Sequence, residues 1–205
     1  MHIEILSQLQ SKYLNLISSF KKDYYLVGGT AIALHLGHRT SIDFDLFCYK
    51  VIKRKSLKNN LEKQKIPYSV LHEDSDQLHI MVEGVKITFF NFPFEVEHKL
   101  KFENYITMPT LLDLAAMKAF ALGGRAKWKD YTDLYFIFKN GCSMKDIEKR
   151  ANEIFSDKFN FKLFKQQLAY FEDIDFSEPV IYIGHDRPTE TQIRAFLTEQ
   201  ALIEF

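Results

Sequence analysis

The chain has 205 residues, of which 46% are hydrophobic and 15% aromatic, enough apolar mass to build a sizeable core and to exclude an intrinsically disordered protein. Lys+Arg and Asp+Glu each number 27, so the net charge is zero, which excludes a wholly electrostatic nucleic-acid binder but not a local basic patch. Cys48 and Cys142 are too few for a disulfide framework or a Cys-rich zinc site. The N-terminus lacks a basic region followed by an apolar one. The most apolar stretch, residues 111–122, is too short to span a bilayer. Together these features predict a soluble, cytoplasmic protein in a reduced setting, with no membrane partner.

Apolar residues at Ile3, Leu6, Leu9, Tyr13, Leu16, Ile17 and Phe20 recur at helical spacing and predict one amphipathic helix over 3–21. Tyr24 to Val27 reads as a short buried strand ended by Gly28-Gly29, and Thr30 to Leu36 as a helix stopped by Gly37. In Ile42-Asp43-Phe44-Asp45-Leu46-Phe47 apolar and acidic residues alternate. Side chains repeat every second residue along a strand, so both carboxylates fall on one face.

Residues 50–65 carry seven Lys/Arg against the single Glu62 and predict a basic surface helix before Pro67. Leu78–Val82 and Val85–Phe92 flank Glu83-Gly84 as a β-hairpin. Thr110-x-x-Asp113 is a capping-box signature opening a helix that runs to Leu122, where Gly123-Gly124 ends it. Helical patterns follow near 128–139, 143–155, 160–171 and 189–202. The order predicts an α/β N-terminal half and an all-helical C-terminal half, with the boundary between Phe102 and Pro109. Residues 172–205 hold eight Asp/Glu against two Arg, opposite in sign to 50–65.

The chemistry concentrates between Tyr25 and Leu46. A strand ends in two glycines and Thr30, then a helix begins. Glycines let backbone approach a phosphate closely, a helix N-terminus offers unpaired N–H groups, and Thr30 adds a hydroxyl. The next strand presents Asp43 and Asp45, a hard oxygen-donor pair suited to Mg²⁺ (or Mn²⁺) bound jointly with nucleotide phosphates. Arg39 suits either a phosphate contact or an ion pair with an aspartate. Lys118 lies among apolar residues, where a lysine either snorkels or serves a site, and Arg125 follows seven residues on. Asp130 and Asp133 also read as ordinary first-turn acids, Asp133 more so.

Gly-Gly-Thr followed by Asp-x-Asp is similar to the signature of the DNA polymerase β-like nucleotidyltransferase superfamily. The longer run Gly28-Gly29-Thr30-Ala-Ile-Ala-Leu-His-Leu-Gly-His-Arg39-Thr-Ser-Ile-Asp43-Phe-Asp45-Leu-Phe resembles the AbiEii family of toxin-type nucleotidyltransferases. Lys118…Arg125…Lys129-Asp130-x-x-Asp133-Leu resembles that family's later motif, so the resemblance covers about residues 24–138.

It implies a nucleotidyltransferase core with a mixed β-sheet flanked by helices over 1–105. A helical C-terminal domain over 106–205 would complete an active-site cleft, with Lys118 and Asp130 facing Asp43 and Asp45. It further implies an NTP such as ATP as substrate, Mg²⁺ as cofactor, RNA (the tRNA 3′ end) as acceptor and a cognate antitoxin as partner. Gly28, Gly29 and Thr30 would hold the triphosphate and Asp43 and Asp45 the metal. Lys118 would reach the phosphates, with Arg39, Lys86 and Arg125 as further nucleotide contacts. Asp130 would hold the nucleotide, orient Lys118 or assist deprotonation.

One departure stands out. The superfamily places a third carboxylate on a later strand, and in Val85-Lys86-Ile87-Thr88 this sequence has Thr88 there, a poor metal ligand and no base at neutral pH. Two further readings stand beside RNA nucleotidylation, the second of them supported by Thr88. One is transfer to a protein or small-molecule hydroxyl, and the other is a degenerate module that binds nucleotide or a partner without turnover. The basic 50–65 segment favours RNA.

Overall fold

In the computed structural model, which describes residues 1–203, strand β2 (Phe44–Cys48) shows how side-chain alternation sets the sheet. Phe44, Leu46 and Cys48 are buried, while Asp43, just before the strand, and Asp45 and Phe47 within it are half-buried on the opposite face. With β1 (Tyr25–Val27), β3 (Ser69–Glu73), β4 (Gln77–Val82) and β5 (Val85–Asn91), β2 forms a five-stranded sheet in the order β1-β2-β5-β4-β3. The β2–β5 pair is parallel and the other pairs are antiparallel, so the sheet is mixed.

Register carries the alternation across the sheet. Leu46 pairs with Phe89, Phe44 with Ile87, and Ile80 with Ile87, all buried. Phe20 and Tyr24 make T-shaped contacts with Phe89, with ring centroids 4.9 and 5.2 Å away. Each such side chain stabilises by about 1.5–3 kcal/mol when fully buried. The Glu83-Gly84 turn joins β4 to β5 with positive φ at both residues, the mirror-image turn that matches strand twist. A second hairpin, β6 (Leu100–Phe102) with β7 (Ile106–Met108), lies where the sequence places the boundary between halves.

The helix predicted over 3–21 is instead a 3₁₀ turn (Ile3–Ile5), α1 (Gln8–Lys12) and α2 (Leu14–Ser19). Ser7 is extended and caps α1 in a reciprocal box with Gln10, which stops a helix from running through it. Helix α3 (Gly28–Leu36) follows β1 directly, and the basic segment forms α4 (Arg54–Lys63) with Leu57 and Leu61 buried.

Among the described residues, every regular element from Thr110 onward is helical. Thr110 and Asp113 make both capping-box bonds that open α5 (Leu111–Leu122). Helix α6 (Trp128–Lys139) buries Tyr131, Leu134 and Ile137, and α7 (Met144–Phe155) sets Phe155 in a 4.2 Å stack on Phe120 of α5. Helices α8 (Phe161–Leu168) and α9 (Glu190–Leu202) complete the order. The chain divides into two units: a sheet unit of Leu6–Ala31 and Ser41–Pro109, and a helical unit of Met1–Ile5, Ile32–Thr40 and Thr110 onward. No described helix is long and apolar enough to cross a membrane.

Candidate active site

In the sheet unit, β1 ends at Val27, which pairs with Asp45, and α3 opens at Gly28 with φ +70°. A Cβ on Gly28 would collide with the Asp45 carboxylate and lie 3.0 Å from its Cγ. Glycine is thus required twice over, for the left-handed backbone and for the close approach of Asp45. Gly29 follows, half-buried, in the first turn of α3.

Thr30 is only 1% exposed. Its hydroxyl donates to the Asp43 carbonyl and lies 2.8 Å from Ser41 Oγ, and Gln10 Nε2 donates to the same carbonyl at 3.4 Å. The Thr30 side chain therefore fixes the backbone that carries Asp43. The hydroxyl that the resemblance assigns to a phosphate is turned inward.

Asp45 pairs in register with Thr88 of β5, so Thr88 occupies the neighbouring position on the carboxylate face. Lys86, two residues earlier on that face, brings Nζ to 3.8 Å from Asp43 Oδ2. Two half-buried carboxylates on one strand face are a donor set that fits a hard divalent cation. No group of three His, Cys, Asp or Glu with metal-holding geometry occurs among the described residues. Two carboxylates alone would make only part of the six-oxygen shell that such a cation takes.

In the helical unit, the sequence-predicted Lys118, Asp130, Arg39 and Arg125 form one network with Asp133 and His38. Lys118 of α5 places Nζ 2.7 Å from Asp130 Oδ1 and 2.9 Å from Asp133 Oδ2. Arg39, 2% exposed, donates through Nε to Asp133 Oδ1 at 2.7 Å and through Nη2 to Oδ2 at 2.8 Å. His38 Nε2 lies 2.9 Å from Asp133 Oδ1. Arg125, half-exposed, donates to Asp130 Oδ2 at 3.2 Å.

Of the two sequence readings for Arg39, the structure shows the ion pair. Burial alone would raise the Asp133 carboxyl, but Arg39 and Lys118 hold it well below the usual range. Burial works against the Lys118 ammonium too, yet Asp130 and Asp133 raise its pKa. His38 goes the other way: burial lowers its pKa, only partly offset by Asp133, and its Nδ1 is buried with no hydrogen-bond partner. The two carboxylates keep this buried lysine charged and fix its position.

Sequence reasoning reads Asp133 as a first-turn acid and assigns His38 no role. The available signal was an acid among Tyr131, Leu134, Tyr135 and Phe136, where a carboxylate is tolerated only with cationic partners.

Residues 14–78 match the family described as Nucleotidyl transferase AbiEii toxin, Type IV TA system. An uncharacterized protein of Aquifex aeolicus, aq_aa25, is 32% identical over 157 residues, covering 74% of this chain and 75% of that one. Among solved structures, MenT4, a nucleotidyltransferase toxin of Mycobacterium tuberculosis, aligns with a TM-score of 0.62 at 14% identity, over 95% of this chain and 81% of its own. A candidate nucleotidyltransferase of H. pylori aligns with a TM-score of 0.57 at 15% identity, over 95% of this chain and 94% of its own. At such identities the structural likeness concerns the fold.

Proposed function

We propose, for a chain that belongs to the AbiEii nucleotidyl transferase toxin family, that it moves a nucleoside monophosphate from an NTP onto an RNA hydroxyl, the 3′ end of tRNA. The observation that carries this reading is the Asp43–Asp45 pair on one sheet face, its backbone pinned by Thr30 and its Asp45 carboxylate laid against Gly28. The acceptor oxygen bonds to the α-phosphorus and the bond to the bridging oxygen breaks. Pyrophosphate leaves with that oxygen, and the hydroxyl proton passes to solvent.

Each residue has a definite task in this scheme. Asp43 and Asp45 hold Mg²⁺ or Mn²⁺, which when bound supplies charge neutralisation on the phosphates. Gly28 and Gly29 give the phosphate chain close access to backbone. Lys118 and Arg125 offer positive charge to phosphate oxygens, and Asp130 positions both. Arg39 and Asp133 fix Lys118 from behind. The basic surface of α4 favours a polyanionic acceptor, and an antitoxin is the partner that the family implies.

The test is incubation with Mg²⁺, each α-labelled NTP in turn, total tRNA and soluble cell protein, with Asp43→Ala and Asp45→Ala in parallel. Label enters RNA and is lost in both variants. Label in protein replaces the acceptor, and retained transfer in both variants overturns the scheme. Thr88 beside Asp45 favours one second reading, a module that binds NTP without turnover. NTP binding with no label anywhere establishes it.

A further inference from the structure

Between α8 and α9 the chain runs as a strap tied by its backbone to two segments of the helical unit. Asp175 N donates to Ala126 O at 2.7 Å and Trp128 N donates to Asp175 O at 3.0 Å. Further on, Thr40 N donates to Ile181 O at 2.9 Å and Ile183 N donates to His38 O at 3.0 Å. Trp128 also stacks on Phe176, with ring centroids 5.3 Å apart. Between these ties the strap carries Glu178, which sets one oxygen 2.5 Å from Lys127 Nζ and the other 2.9 Å from Lys129 Nζ.

This bridge is not what holds the strap in place. The strap is already held by its backbone and by Phe176, and partly exposed ion pairs contribute little to folding. Lys127 and Lys129 stand at the start of α6, where the helix dipole disfavours cations, and they lie two residues apart, so each also repels the other. Arg125 adds a third positive charge just upstream, taken up by Asp130. One monovalent carboxylate is thus spread over two ammonium groups. Its two oxygens stand where two oxygens of a phosphate, with more charge and more acceptors, would stand. Lys127 is 35% exposed, Glu178 39% and Lys129 17%, so solvent and solutes reach the bridge chiefly at Lys127 and Glu178.

We propose that Lys127 and Lys129 form a phosphate-binding site and that Glu178 fills it as an internal stand-in, to be displaced by a phosphate-bearing ligand. The inference rests on the transferase reading only for the source of that phosphate, the NTP chain or the RNA backbone. Displacement frees the two lysines to grip the ligand next to Asp130, so the strap sets the affinity of the site by competing for it. A competitor that keeps the site filled most of the time lowers apparent affinity by the fraction of sites left open, about five- to tenfold for a site about 80–90% filled.

The experiment titrates the full chain with inorganic tripolyphosphate and, separately, with a short oligoribonucleotide, by calorimetry at fixed salt. Glu178→Gln, which keeps size and removes charge, binds at least one of the two about five- to tenfold more tightly than the natural chain. Adding Lys127→Met and Lys129→Met to it abolishes the gain. Tighter tripolyphosphate binding assigns the site to the NTP, and a gain with the oligoribonucleotide alone assigns it to the acceptor. Unchanged affinity for both, or a gain that survives loss of the two lysines, overturns the proposal.

A second measurement needs no variant. In the natural chain the better-binding probe slows acetylation of Lys127 and Lys129 relative to Lys145 of α7, read by mass spectrometry, and equal rates overturn the proposal. Both readouts report binding rather than turnover. Their failure therefore leaves the Asp43 and Asp45 transfer test standing, and failure of that test leaves these standing.

Discussion

Arg39 and Asp133, 94 positions apart in the chain, meet through two parallel N–H···O bonds of 2.7 and 2.8 Å in a buried setting. The guanidinium fork matches the carboxylate edge, and the same carboxylate accepts from Lys118 and His38. Such a pair adds little net stability compared with an apolar replacement, but removing one partner strands the other. Asp133→Ala should therefore cost about 3–5 kcal/mol in urea unfolding. Arg39→Leu should cost a similar amount, and the double variant clearly less than the sum of the two, because neither charge is then stranded alone. Additive losses in that double-mutant cycle would show that the two residues stabilise the fold independently.

Acid should weaken the fold in two separate windows. Burial lowers the His38 pKa, so the folded chain keeps this imidazole neutral while the unfolded chain takes up its proton as pH falls through about 6.5. The contribution is full above that pH and declines below it, at up to about 1.4 kcal/mol per pH unit, until folded His38 titrates. Asp133 acts lower. Burial pushes its carboxyl up, Arg39 and Lys118 pull it further down, and its contribution is complete above about pH 3.9 and lost as pH falls through the depressed folded value. His38→Gln should flatten the decline between pH 6.5 and 5 and leave the one below pH 4. Urea midpoints across that range measure both, and an unaltered upper window would exclude His38 as its source.

Gly28→Ala tests the close approach at the β1–α3 junction. The substitution forces a side chain into left-handed backbone, at a cost of about 1–2 kcal/mol. It also drives the Asp45 carboxylate away from the turn. The expected result is a folded protein with a modestly lowered melting temperature and nucleotidyl transfer reduced by about 10²-fold or more, since misplacement by about 1 Å carries that penalty. Gly29→Ala, within helix α3 and outside the positive-φ glycines, should be far milder on the melting temperature, and an equal loss of thermal stability in both variants would argue against a special backbone role for Gly28.

Much of this arrangement was legible in the sequence because it rests on local rules. The alternation from Ile42 to Phe47 put Asp43 and Asp45 on one face, and Thr110-x-x-Asp113 marked the start of α5 to the residue. Other features depend on contacts that no local pattern encodes. Strand β3 is exposed along its whole length and shows no alternation, so only its pairing with β4 defines it. Thr30 looked like a phosphate ligand until Asp43 and Ser41, more than ten residues downstream, claimed its hydroxyl. Asp133 read as a helix-start acid because its partners Arg39 and His38 lie on a distant segment. The strap between α8 and α9 carries no periodicity, and backbone bonds to the 38–40 and 126–128 segments give it shape.

Thr88 offers the most direct probe of the carboxylate face, since its register opposite Asp45 makes it the position from which a third ligand would come. Thr88→Asp sets a third carboxylate, at a buried position, beside the two half-buried ones. Without a cation their mutual repulsion raises their pKa values and destabilises the fold, so the variant should melt below the natural chain in EDTA. A cation bound only by the folded state stabilises by mass action, about 2.7 kcal/mol at a hundredfold excess over Kd. Millimolar Mn²⁺ should therefore raise the melting temperature of the variant well above its own EDTA value, and by more than it raises that of the natural chain. Asp45→Asn added to Thr88→Asp should remove most of that difference, because Asp45 is the shared ligand. A Thr88→Asp variant indifferent to Mn²⁺ would mean that this sheet face does not gather a divalent cation, and the roles assigned to Asp43 and Asp45 would fall with it.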